Sequence, residues 1–152
     1  MTPIGVGAAY SRPGEAQSAY LITHRQTRLC LDLGAGALNV LQRHVAPEDL
    51  TAIVISHVHA DHCVDLFSLR IYMEYGPGKG GQIPVYAPAA LPGRLTAFGG
   101  DAGWGGLEFH PLADSGGVLE FDDLRVRWTE VPHSRPTFAF RVDAPAGSVT
   151  YS

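Results

Sequence analysis

Apolar and polar positions change period several times along this 152-residue chain, and each change marks an element. Ile4 to Tyr10 is apolar and glycine-rich and ends in a Ser11-Arg12-Pro13-Gly14 turn. Ser18–Thr23 and Arg28–Leu33 read as short strands joined by a polar hairpin loop, His24 to Thr27. Gly34-Ala35-Gly36 breaks the second strand, and Leu38, Leu41 and Val45 follow at helical spacing until Pro47. The run Ala52-Ile53-Val54-Ile55, within Thr51–Ser56, predicts a strand buried on both faces. Val64, Phe67, Ile71 and Tyr75 predict a helix with one apolar side, stopped by Gly76 to Gly81. Ile83–Tyr86 is a further strand, Pro88–Phe98 a helix interrupted by Pro92, and Gly99 to Gly106 a loop. From residue 107 the pattern is β: Leu107–Phe109, Val118–Phe121, Leu124–Val131, Thr137–Val142 and Ser148–Tyr151. Apolar and polar residues alternate in Arg125 to Glu130, which suits a strand with one wet face. The order, strands with interleaved helices and then a β-meander, predicts an α/β fold in one domain, residues 1–152.

Composition narrows the function classes. With 45% apolar and 17% charged residues the chain is globular rather than disordered. The net charge is −4 and the eleven Lys and Arg residues are scattered, so a nucleic-acid partner is allowed but not favoured. Two cysteines, Cys30 and Cys63, make no disulfide framework. There is no basic start followed by an apolar stretch, and no apolar run of the roughly 18–20 residues a membrane helix needs. These features set the expectation of a cytoplasmic protein that does not meet a membrane.

The chemistry is concentrated in His57-Val58-His59-Ala60-Asp61-His62, at the carboxyl end of the buried strand, where α/β folds place their sites. Two histidines two residues apart on extended chain point to one side, so His57 and His59 reach a single metal together. Asp61 and His62 come as the chain turns toward the helix, with the spacing a second, adjacent metal requires. His133, just after the strand Leu124–Val131, is the natural third imidazole for the first metal. Imidazole and carboxylate ligands suit zinc first, with manganese or iron compatible. Asp32 could brace a ligating histidine or cap a turn, and Asp65 reads as a cap or a solvated residue. Cys63 reads as a small buried hydrophobe beside the site and Cys30 as core. Lys79 in its glycine loop and Arg12 read as solvated connectors rather than anion contacts.

At these residues the sequence resembles the metallo-β-lactamase superfamily, especially its ribonuclease Z-like and phosphodiesterase-like branch. The resemblance is carried by Ala52 to His62 with the preceding Pro47-Glu48-Asp49-Leu50, by Asp32-Leu33-Gly34-Ala35-Gly36, and by Val131-Pro132-His133. It implies an αβ/βα sandwich with metals at one edge of its two sheets. It implies that His57, His59 and His133 hold a first zinc ion, that Asp61 and His62 hold a second, and that Asp61 handles a proton as the catalytic residue. The implied activity is hydrolysis of a phosphodiester, small or nucleotide-type, by a metal-bound hydroxide available because zinc lowers the pKa of its water to about 7.

The family completes its site with a bridging aspartate in a Gly-Asp-Thr-like segment and a further histidine, both lying beyond a strand like Ser148–Ser152. The expectation is therefore the N-terminal portion of the fold, with one metal ion bound weakly and poor hydrolysis by this chain alone. Two alternatives stay open. One is a non-catalytic metal-binding half-domain completed by a partner chain or in a homodimer. The other is a hydrolase of esters, thioesters or lactams.

Overall fold

The computed structural model describes residues 1–7, 9–99 and 103–152. Its first sheet has six strands, β1 (Thr2–Gly5), β2 (Ala19–His24), β3 (Thr27–Leu31), β4 (Ala52–Val54), β5 (Ile83–Pro88) and β6 (Leu107–Leu112), in that spatial order. Pairing is antiparallel from β1 to β3 and parallel from β3 to β6. The second sheet is an antiparallel meander of β7 (Gly117–Phe121), β8 (Leu124–Val131), β9 (Thr137–Ala144) and β10 (Gly147–Tyr151). Four helices, α1 (Ala37–Leu41), α2 (Ala60–Cys63), α3 (Leu66–Tyr75) and α4 (Leu91–Gly99), lie in the connections of the first sheet. The result is an α/β sandwich with a mixed sheet, the architecture that the sequence resemblance implies. Among the described residues no helix is long and apolar enough to cross a membrane.

The continuous apolar run in β4 is explained by its two buried faces. Ile53 and Ile55 join the core under the helices with Leu66, Leu69 and Met73, whereas Ala52 and Val54 join the core between the sheets with Phe138 and Phe140. Side chains two apart on a strand share a face, so one run serves two cores. On β8 only one face is dry: Leu124 and Val126 are buried while Arg125 and Arg127 are exposed. Those arginines are held on the outer face by Glu120 and Asp143.

The structure revises several sequence expectations. The apolar side of α3 is Leu66, Leu69 and Met73, whereas Ile71 and Tyr75 are 51% and 71% exposed. A turn at Val64-Asp65 separates α2 from α3, and of the expected stripe only its start, the half-buried Val64 and Phe67, stays off the solvent. Pro92 lies in the first turn of α4, where its missing N–H leaves no bond unmade, and so it opens that helix rather than interrupting it. β6 runs on through Pro111 because it is an edge strand that tolerates the lost donor. The hairpin loop tightens to Arg25-Gln26, with His24 and Thr27 paired in the strands and Arg25 at φ +50°. The helix at Ala37 stops at Leu41, and Pro47–Asp49 forms a separate 3-10 turn. In the run from Ile4 to Tyr10 the strand ends at Gly5 and an isolated bridge joins Gly7 to Gln17; position 8, like part of the loop expected over Gly99 to Gly106, lies outside the described residues.

Candidate metal centre

The site forms where the parallel strands of the first sheet end. β4 is followed by Ile55-Ser56-His57, and the chain turns at His59, the extended N-cap of α2. Two loops clamp this turn. Leu33 N–H donates to the His62 carbonyl (2.8 Å), and Asp65 N–H donates to the Leu33 carbonyl (3.1 Å). Gly34 is needed there because a Cβ would lie 2.0 Å from the Asp61 carbonyl oxygen. From the second sheet, Phe138 N–H donates to the Ser56 carbonyl (3.0 Å) and fixes β9 against the motif.

His57, His59 and His133 each present one ligand atom, all within 4.8 Å of one another. The ring centroids are 4.8 Å apart for His57–His59, 5.0 Å for His57–His133 and 5.1 Å for His59–His133, each pair edge-on. His59 Nδ1 and His133 Nε2 face each other at 3.3 Å. The three rings line an open cleft of about 750 Å³ together with Ala60, Asp61, His62, Pro132, Thr137 and others. His62 comes to 4.0 Å from His57, centroid to centroid, and its Nε2 lies 3.4 Å from Asp61 Oδ2. The structure thus brings all five singled-out residues, His57, His59, Asp61, His62 and His133, to one cleft. Neither Lys79 nor Arg12 lines it.

Behind the rings sits Asp32, fully buried and at φ +58°, a conformation that a non-glycine residue adopts only when its surroundings over-determine it. Its Oδ1 accepts from Ser56 N–H (2.6 Å), and its Oδ2 accepts from Ser56 Oγ–H (2.7 Å) and His62 Nδ1–H (2.6 Å). Because the Ser56 proton goes to Asp32, Ser56 Oγ accepts from His57 Nδ1–H at 3.0 Å. When neutral, both rings therefore carry their proton on Nδ1 and leave Nε2 free, the tautomer a metal ligand needs. Of the two sequence readings for Asp32, the brace is the one found. Asp65 instead caps α1, accepting from Leu38 N–H (2.9 Å). The Cys63 thiol donates to the His59 carbonyl (3.2 Å), and burial pushes its pKa up to about 12, so it presents no thiolate. Ser56 and Tyr151, whose hydroxyl also reaches Asp32 (2.5 Å), carry no sequence signal that marks them out.

Burial, helped by neighbouring His62, lowers His57 to about 4, so it is neutral at ordinary pH and needs to lose no proton to ligate. Burial also opposes charge on His62, but the hydrogen bond and charge of Asp32, with Asp61, outweigh it and hold that ring above its usual value. In the metal-free chain the two act on opposite sides of 6.5. The unfolded chain binds more protons at position 57 between 6.5 and about 4, so the His57 contribution is lost as pH falls through that window. His62 is charged in both states below 6.5, and its contribution is lost as pH rises toward its raised folded value. Urea unfolding with chelator present should give a higher midpoint near pH 6.5 than at 4.5, and His57→Gln should flatten that acid limb; an unchanged limb would refute the assignment.

The residue set fits a divalent ion: three convergent nitrogens, of which His57 is oriented through its other nitrogen by Ser56, beside an open cleft, a carboxylate and the Asp32-oriented His62. The family model described as anti-Pycsar protein Apyc1 matches residues 1–98. The chain is similar to the Mycobacterium tuberculosis protein Rv1339, 32% identical over 163 residues that take in all of this chain and 58% of that one. It is similar to ribonuclease Z of Methanopyrus kandleri, 27% identical across 93% of this chain and 49% of that enzyme. The crystal structure of the metallo-β-lactamase fold protein YhfI from Bacillus subtilis superposes with a TM-score of 0.85 at 23% identity, over 99% of this chain and 59% of that one. The chain therefore spans less than two thirds of each of these relatives.

Proposed function

The chain belongs to the family of the anti-Pycsar protein Apyc1, in the ribonuclease Z-like and phosphodiesterase-like branch of the metallo-β-lactamase superfamily, and on that premise we propose that it serves metal-dependent hydrolysis of a phosphodiester. The observation that carries the reading is the convergence of His57, His59 and His133, drawn from both sheets, within 4.8 Å. In this proposal those three hold one divalent ion, zinc first and manganese or iron compatible, while Asp61 and His62 hold a second. A zinc ion there supplies Lewis acidity that brings the pKa of water to about 7.

The chain's own residues set up the rest. Asp32 and Ser56 orient His62 and His57, and the neutral His57 binds without competition from a proton. Asp61, half-buried in the cleft wall, accepts the proton of the attacking water or passes one to the leaving oxygen. A small diester is favoured over a long nucleic acid, because basic side chains on the outer face of the second sheet are paired with Glu120 and Asp143 and form no free stripe. A cytoplasmic location is part of the same proposal.

The test is metal content and turnover of bis(p-nitrophenyl) phosphate by the chain before and after chelation. Expected are at least one zinc per chain and an activity that chelation abolishes and zinc restores. A chain that takes up no zinc overturns the reading. Metal bound without turnover would favour the second reading, a half-domain completed by a partner chain or a second copy.

A further inference from the structure

Asp32 gathers donors from both halves of the molecule. Ser56 and His62 reach it from the first sheet and its following turn, whereas Tyr151 reaches it from β10, 119 residues away in sequence. The Tyr151 hydroxyl lies 2.5 Å from Asp32 Oδ2 and 3.4 Å from His62 Nδ1. Its ring packs against Tyr20 of β2 with centroids 5.1 Å apart. Oδ2 thus takes three hydrogens, from a serine, a tyrosine and the histidine whose other nitrogen faces the cleft. Ser56 alone holds both oxygens from the first sheet, its N–H on Oδ1 and its hydroxyl on Oδ2. The Tyr151 hydroxyl adds a donor from the second sheet at the same oxygen that meets His62.

We infer that Tyr151 is a positioning residue of the metal centre: its hydroxyl locks the Asp32 carboxylate and through it the tautomer and direction of the His62 ring. The inference rests on the metal reading above and deepens it. It makes the second sheet responsible for two parts of the site, the His133 ligand and the lock behind His62. A purely structural role would instead need only the packing of the ring against Tyr20.

Tyr151→Phe keeps the ring and removes the hydroxyl. With cobalt(II) as probe, the variant should show altered visible bands and about tenfold weaker zinc binding in competition with a chelator, the lower end of the roughly 10–100-fold effect of outer partners. Tyr20→Leu, which loosens the packing and leaves the hydroxyl bond, should keep the wild-type cobalt bands. Wild-type bands and affinity in Tyr151→Phe, or equal changes in both variants, would overturn the inference. Nitrogen-15 NMR of the wild-type chain, at a pH where the His62 ring is neutral, decides the matter if the variants do not fold or no cobalt is taken up. His62 should be protonated at Nδ1 alone and the Tyr151 hydroxyl proton should exchange slowly; mixed tautomers or a freely exchanging hydroxyl overturn it. Absence of cobalt uptake by wild type, with these NMR signals present, refutes the metal reading and not the lock.

Discussion

Asp32→Ala should destabilise the metal-free chain by about 3–5 kcal/mol, the range for removing one partner of a buried charged pair. The side chain is fully buried and accepts from Ser56 N–H, Ser56 Oγ–H, His62 Nδ1–H and Tyr151 O–H. Each donor left unmatched in the interior costs about 1–3 kcal/mol, and the four share one acceptor, so the losses do not simply add. Alanine at φ +58° adds a further penalty of roughly 1–2 kcal/mol. Against a typical total of about 5–15 kcal/mol, the variant would sit near the edge of folding. Asp32→Asn, which keeps the shape but turns an amide N–H toward at least one donor, should fall between alanine and wild type. Urea unfolding with chelator present measures both, and a loss under about 1 kcal/mol for alanine would show that the hub contributes little.

For His133→Ala the expected pattern is reversed: a large loss of metal and almost none of stability. His133 is exposed, on the loop between β8 and β9, and belongs to neither buried apolar cluster. Metal-free stability should change by no more than about 0.5 kcal/mol, as for other surface substitutions. Zinc affinity should fall by more than about 100-fold, beyond the usual effect of a partner that only orients a ligand. Isothermal titration of zinc, read beside urea unfolding of the same sample, separates the two quantities. Unchanged affinity would remove His133 from the ligand set and leave the second sheet without a ligand. A parallel collapse of stability would mean that the residue supports the loop rather than the ion.

The contrast between these variants reflects the difference between local and distant information in the chain. His57, His59, Asp61 and His62 were legible because their spacing within six residues fixes their relative directions as soon as an extended strand end turns into a helix. The strand before them was legible for a similar reason: an unbroken apolar run between polar flanks has few structures open to it other than burial on both faces. The side of α3 that turns inward was not legible. Leu66-Leu69-Met73 and Phe67-Ile71-Tyr75 are both apolar at helical spacing, and only docking onto Ile53 and Ile55 chooses the first.

By itself, then, the sequence determined that a two-histidine half-site ends a buried strand of an α/β domain, because those features depend on neighbours a few residues apart. The tertiary structure alone decided that Asp32 braces His62, that Asp65 caps α1, and that Tyr151 reaches the same carboxylate. Those choices depend on how two sheets stack. The free energy that selects them comes from burying Phe138 and Phe140 against β3 and β4 and from pairing polar groups enclosed by that burial, contacts between segments too far apart for any local pattern to record.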